Sequence, residues 1–357
     1  MMRERPYYHP QDVSGPTKAE SELKLTDAER FLYDVYTRRA KRPDLDAFTH
    51  IPVAESKRDR AKEKELMERY KQTGDVRNDA MEALLASEIE TADWFEASVF
   101  RTTRYDDFLN GVDLVLEWDQ GEEHEPLRLA VDVTTATSPE ALDGKLAKLK
   151  YGSTVKYFES DVALGEDGTQ EQMSLSGLPT VILGFEREYL STLAKEAVEH
   201  RTTRKSTDEY GRPVSLPDVR RDAFGDHPMG LVLLEQAKAQ LGLQVQTRMN
   251  EVVRLMQGVP ALDDSTKEAL RDYAAAQGDT DAALTTMHRL FPAIKALLAS
   301  KRLSEKQFNG WIERVQLYHR VREHLAAREK QNDRGSRTAR VLSRGSGLHR
   351  RLTTFAA

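Results

Sequence analysis

Two short apolar runs, VDLVLEW at residues 112–118 and LRLAVDVT at 127–134, are separated by the eight residues DQGEEHEP. Both runs alternate and are rich in β-branched or bulky side chains, so each reads as a strand. The polar, Gly- and Pro-bearing interval reads as a hairpin loop. This pair constrains the fold more than any other feature, because each strand carries a carboxylate where an apolar residue is expected. In the first, Val112, Leu114 and Leu116 share one face, and Asp113 shares the other with Val115 and Glu117. In the second, Asp132 interrupts Leu129, Val131 and Val133. An ionised carboxylate buried without a partner costs several kcal/mol, on the order of 2 to 7 for a polar group alone, so something must compensate it. If the strands are antiparallel neighbours, about 4.8 Å apart, Asp113 and Asp132 can share one hard cation.

The flanking pattern extends this pair into a mixed α/β core. A helix is expected from about Asn78 to Phe95, a strand at SVFRTT from residue 98, and a helix from Pro139 to about Tyr151 after the N-cap Ser138. A polar stretch with short strands follows, then the most strand-like segment, PTVILGF at 179, and the helical EREYLSTLAKEAVEH. On a wheel of the 78–95 helix, Met81, Leu84, Leu85, Ala92 and Phe95 form an apolar stripe with Glu88 at its centre. Glu82, Glu90 and Asp93 fall on the opposite side as surface charges. The pair Asp106-Asp107 in RYDDF, beside the proposed site, is read as a turn, with an extra ligand as the alternative, and Gly111 as the site of a bend.

Outside the core, residues 1–24 read as a flexible arm and 25–77 as a helical region, in which Thr26-Asp-Ala-Glu29 forms a capping box. The core spans 78–200, a linker 201–228, a mostly helical region 229–330 and a tail 331–357. The net charge of −6 over 357 residues conceals an asymmetry. From Lys301 onward there are 14 Lys and Arg against 5 Asp and Glu. In the tail Arg337, Arg340, Arg344, Arg350 and Arg351 suit a phosphate backbone, with a solvated disordered terminus as the equal alternative. The chain has no cysteine, a mean hydropathy of −0.63 and no apolar run approaching about 20 residues. No thiolate metal site or disulfide is available, and a cytoplasmic protein without a membrane span is expected.

A helical Glu, an Asp at one strand, an acid on the next, then helix and strand resembles the PD-(D/E)XK nuclease superfamily, with a restriction-endonuclease-like fold. The resemblance covers roughly residues 78–190 and rests on ASEIE, NGVDLVLEW and LAVDVTT. It implies Glu88, Asp113 and Asp132 as ligands of Mg²⁺ or Mn²⁺, with the Val133 carbonyl as a further donor. It also implies phosphodiester hydrolysis of nucleic acid, DNA before RNA. The superfamily's lysine belongs two places after the second acid, where this chain has Thr134. Some members carry it on the following helix, which offers Lys145, Lys148 and Lys150. Leu142, Leu146 and Leu149 mark the buried direction of that helix. Lys145 lies about 60° from it, Lys150 about 75° and Lys148 about 130°. Lys145 is therefore the expected catalytic cation, beside Asp113 and Asp132. The alternatives are a nuclease-like fold that binds nucleic acid or assembles without cutting, and a helical scaffold in which Asp113 and Asp132 are unrelated. The sequence leaves a homo-oligomer open.

Overall fold

The computed structural model describes residues 25–39, 41–73, 76–91, 94–121, 124–135, 139–149, 152–165, 168–185, 189, 191–196, 198, 227–257, 263–276 and 305–331, with isolated residues between 282 and 294. The 1–24 arm, most of the 201–228 linker, and the tail arginines Arg337, Arg340, Arg344, Arg350 and Arg351 lie outside them.

Helix α1 (Asp27–Arg39) opens on the expected capping box: the Thr26 N–H donates to Glu29 Oε2 at 2.8 Å and the Glu29 N–H to Thr26 Oγ1 at 3.2 Å. A single 3₁₀ turn (Leu45–Ala47) follows, then α2 (Val53–Thr73) and α3 (Val76–Thr91). The core continues through β1 (Ser98–Arg101), α4 (Arg104–Asn110), β2 (Leu114–Trp118), β3 (Leu127–Thr134) and α5 (Pro139–Leu149). The long hairpin of β4 (Ser153–Leu164) and β5 (Gln170–Leu178) then leads into β6 (Thr180–Gly184). Helices α6 (Pro228–Gln257), α7 (Asp264–Ala275) and α8 (Glu305–Gln331) complete the described chain.

The protein is thus mixed α/β, with a small four-stranded sheet ordered β1-β2-β3-β6 and flanked by helices. β1, β2 and β3 are antiparallel neighbours, whereas β6 runs parallel to β3 after the crossover through α5 and the β4–β5 hairpin. One face buries Leu114, Leu116, Leu129, Val131, Val133, Val181 and Leu183 against residues of α3, α6 and α8. The other buries Val115 and Ala130 under the β4–β5 hairpin and Ile182 under Leu142, Leu146 and Leu149 of α5. Helix α3 packs on the sheet with α1 against it on another side, which buries it almost all round. Among the described residues, no helix is long and apolar enough to cross a membrane.

The free edge of β6 is closed by glutamines of α6. The Ile182 N–H donates to Gln240 Oε1 at 2.8 Å, and Gln240 Nε2 donates to the Ile182 carbonyl at 2.8 Å. Gln236 makes the same two bonds with Gly184, at 3.2 and 3.0 Å. Gln244 donates to the Thr180 carbonyl at 2.7 Å, while its own Oε1 is buried without a partner. Four helical residues rise about 6.0 Å and two strand residues about 6.6 Å, so successive rungs nearly coincide and then drift. The half-made Gln244 rung is where the mismatch tells.

Candidate metal centre

The site forms where β2 begins. The register ends with Leu114 opposite Val131, and Asp113 lies one step before that pair as Asp132 lies one step after it. The Asp113 N–H donates to the Val131 carbonyl at 2.9 Å, and Asp113 Oδ2 accepts the Val133 N–H at 2.7 Å. The Asp132 carboxylate is close enough to act on the Asp113 charge. From α5, Lys145 Nζ donates to Asp132 Oδ1. The helix phase read from Leu142, Leu146 and Leu149 therefore puts Lys145 on Asp132. The Lys148 side chain and Lys150 lie outside the described residues.

The helical acid is different from the one expected. Glu88 is buried, at 1% exposure, but is not part of the acidic group, and neither is Asp132, which pairs with Lys145. Glu82, six residues and about 9 Å before Glu88 on α3, stands there instead. The wheel places Glu82 on the solvent side, yet it is only 5% exposed. A single apolar stripe locates the buried side of a helix only when one side is buried, and α3 is enclosed on nearly all of them. Asp107 is the second addition. RYDDF is not a turn but helix α4, N-capped by Thr103, whose Oγ1 accepts the Asp106 N–H at 3.2 Å. The helix closes at Gly111, which has a φ of 63° and donates its N–H to the Asp107 carbonyl at 2.9 Å. The two consecutive aspartates have separate roles. Asp106 accepts the Lys156 and Tyr157 N–H groups at 2.8 and 3.0 Å and fastens β4. Asp107 faces the acids.

Oxygens of Glu82, Asp107 and Asp113 all lie within 4.8 Å of one another. Three hard carboxylate donors at this spacing fit a divalent cation of the Mg²⁺, Mn²⁺ or Ca²⁺ type. Arg42 reaches into the group. Its Nη2 hydrogen-bonds Glu82 Oε2 and lies 3.0 Å from Asp107 Oδ2 and 3.7 Å from Asp113 Oδ1. Arg101 adds a contact to Glu82 at 3.2 Å, and Arg104 one to Asp107 at 3.4 Å. Burial, and then the neighbouring carboxylates of Glu82, Asp107 and Asp132, push Asp113 well above the usual carboxylate range, with Arg42 opposing. Burial raises Glu82 as well. For Lys145 burial works downward, but the Asp132 and Asp113 charges outweigh it and hold the ammonium above its ordinary value.

At the far end of β3 the backbone is fixed closely. Thr135 donates through its N–H, at 3.2 Å, and its hydroxyl to Asn78 Oδ1 on α3. A Cβ at Gly184, the parallel partner of Thr134, would stand 2.3 Å from the Thr134 carbonyl oxygen. Only glycine lets β6 approach here. In comparisons with family models, curated proteins and solved structures, the chain matches none.

Proposed function

We propose that the protein hydrolyses phosphodiester bonds of nucleic acid with Mg²⁺ or Mn²⁺, as a nuclease of the PD-(D/E)XK type. The observation that carries this reading is the convergence of Asp113, Asp132 and Lys145 from two paired strands and the following helix. The order helix, strand, short helix, two strands, helix, hairpin and strand, with β6 parallel to β3, supports a restriction-endonuclease-like core that carries an inserted helix and hairpin. In this reading Glu82, Asp107 and Asp113 would hold the metal, Glu82 in place of Glu88, and Asp132 stands beside them as the partner of Lys145. The metal supplies a Lewis acid and an activated water. Lys145 stays protonated through neutral pH, because its affinity for protons is raised. It therefore serves as a fixed positive charge for the developing phosphate oxyanion and not as a general base. The Val133 N–H bond and the Lys145 ion pair orient the two aspartates before substrate arrives. The tail arginines Arg337, Arg340, Arg344, Arg350 and Arg351 supply sequence-independent backbone affinity.

A second reading has its own support. Arg42 neutralises the acidic group without any metal, as a nuclease-like protein that binds nucleic acid or assembles without cutting would require. The two separate on supercoiled plasmid incubated with the full chain. Conversion to nicked or linear forms that depends on Mg²⁺ or Mn²⁺ and stops with chelator supports the nuclease. Retarded but intact plasmid under all conditions supports the binder.

A further inference from the structure

We propose that Arg42 is the resident counter-cation of the Glu82, Asp107 and Asp113 cage, and that a divalent ion enters only by displacing it. This makes the segment around Arg42 a gate on the metal site, and it rests on the metal-dependent reading above.

The geometry argues for exclusive occupancy. A single nitrogen, Arg42 Nη2, contacts the three carboxylates whose ligand oxygens cluster within 4.8 Å. An N–H···O bond spans about 2.9 Å, whereas Mg²⁺ sits about 2.1 Å from its oxygens. An ion would have to take the position that Arg42 Nη2 now holds. Charge gives the same answer. Arg42, Arg101 and Arg104 already face these carboxylates. A dication added beside Arg42 would meet a guanidinium at close range in a buried site, which is strongly unfavourable. Of the three, Arg42 alone touches all the acids, and Arg104 is also tied to Asp79 at 3.1 Å.

The guanidinium is held incompletely. Its side chain is 7% exposed, Nη1 donates to the Thr102 carbonyl at 3.1 Å, and Nε is buried without a hydrogen-bond partner. An orphaned donor at this depth weakens the closed state, which is therefore poised and not saturated. The backbone beside it is anchored independently. Leu45 and Phe48 are buried with Tyr157, and Asp44 caps the 3₁₀ turn by accepting the Asp46 N–H. The Arg42 side chain can swing out while this anchor stays.

The test is Mn²⁺ binding to the full chain, measured by titration calorimetry and by the free-ion electron paramagnetic resonance signal. Wild type, Arg42→Ala, Arg42→Lys and Arg42→Ala/Glu82→Gln are compared after thermal melts confirm folding. Arg42→Ala should bind Mn²⁺ at least about tenfold more tightly, Arg42→Lys should fall between, and the double variant should lose the gain. If Arg42→Ala does not fold, Arg42→Lys decides: it should bind Mn²⁺ more tightly than wild type. Equal or weaker binding by a folded Arg42→Ala, or by Arg42→Lys where it alone folds, overturns the gate and leaves metal binding intact. Tighter binding without plasmid cleavage upholds the gate and removes the nuclease reading. Absence of Mn²⁺ binding in every variant overturns both.

Discussion

One face of β2 carries a buried acid near each end, and the two keep opposite company. Glu117 is enclosed by donors: Arg128 Nε at 2.8 Å, the Ser160 hydroxyl at 2.8 Å and the Asp161 N–H at 3.0 Å. Asp113, four residues away, accepts one backbone N–H and otherwise faces Glu82, Asp107 and Asp132, with Arg42 as the nearest cation. Both are nearly inaccessible, at 2% and 4% exposure, so burial alone does not distinguish them. A buried acid surrounded by donors fastens the fold. A buried acid surrounded by other acids is strained until a cation arrives, and that makes it a candidate for chemistry.

The contrast is broken most directly at the structural end. Glu117→Ala leaves Arg128 without its partner and should lower unfolding free energy by about 3–5 kcal/mol, while a folded variant keeps its cleavage rate. A denaturant titration paired with the plasmid assay checks it, and selective loss of rate would place Glu117 in the reaction. At the other end, Lys145→Ala should slow metal-dependent cleavage by about 10²–10³-fold, or 2.7–4 kcal/mol, with Mn²⁺ affinity retained. A variant as fast as wild type would make Lys145 a counter-ion of Asp132 and nothing more.

The smallest effect concerns Asp113 itself. Its proton affinity is raised in the fold, so above pH of about 4 the native state keeps a proton that the unfolded chain has lost. Stability therefore falls as pH rises through that window. Asp113→Asn removes the penalty while its amide oxygen still accepts the Val133 N–H. In metal-free buffer it should be more stable than wild type at pH 8, by about 1 kcal/mol, the ordinary size of a single-substitution effect. The gap should shrink at pH 4.5, closer to the ordinary carboxylate range, where the folded and unfolded states differ less in bound protons. Urea titrations at the two pH values measure this, and a gap independent of pH would show that Asp113 is ionised in the fold.

Local patterning exposes part of this arrangement. The alternation in VDLVLEW and LRLAVDVT, with a loop of fixed length between, specifies a hairpin whose register brings Asp113 to Asp132. The leucine spacing of α5 sets the phase that aims Lys145. Capping residues mark the start of α1. The acids from elsewhere are hidden for tertiary reasons. A wheel that favours Glu88 over Glu82 presumes one solvent face, and α1 removes it. Asp107 sits on a helix of seven residues, too short for periodicity to reveal, although Thr103 and Gly111 bracket it as caps. Arg42 lies in an aperiodic stretch before Pro43, where no local rule says what a side chain will meet 40 residues or more further on. The glutamines at 236, 240 and 244 are visible as a four-residue repeat, but their partner is a strand more than 50 residues away.

That repeat also decides how the molecule meets its neighbours. An open strand edge is a template on which another chain can add a strand, the usual route to edge-to-edge aggregation. In β6 the outward-pointing groups at Ile182 and Gly184 are already matched by amide side chains, which imitate a neighbouring backbone but belong to a helix and cannot propagate the pairing. The sheet ends there by chemistry and not by a bulge, a proline or a charge. Any association of copies of this chain must use a surface other than that edge.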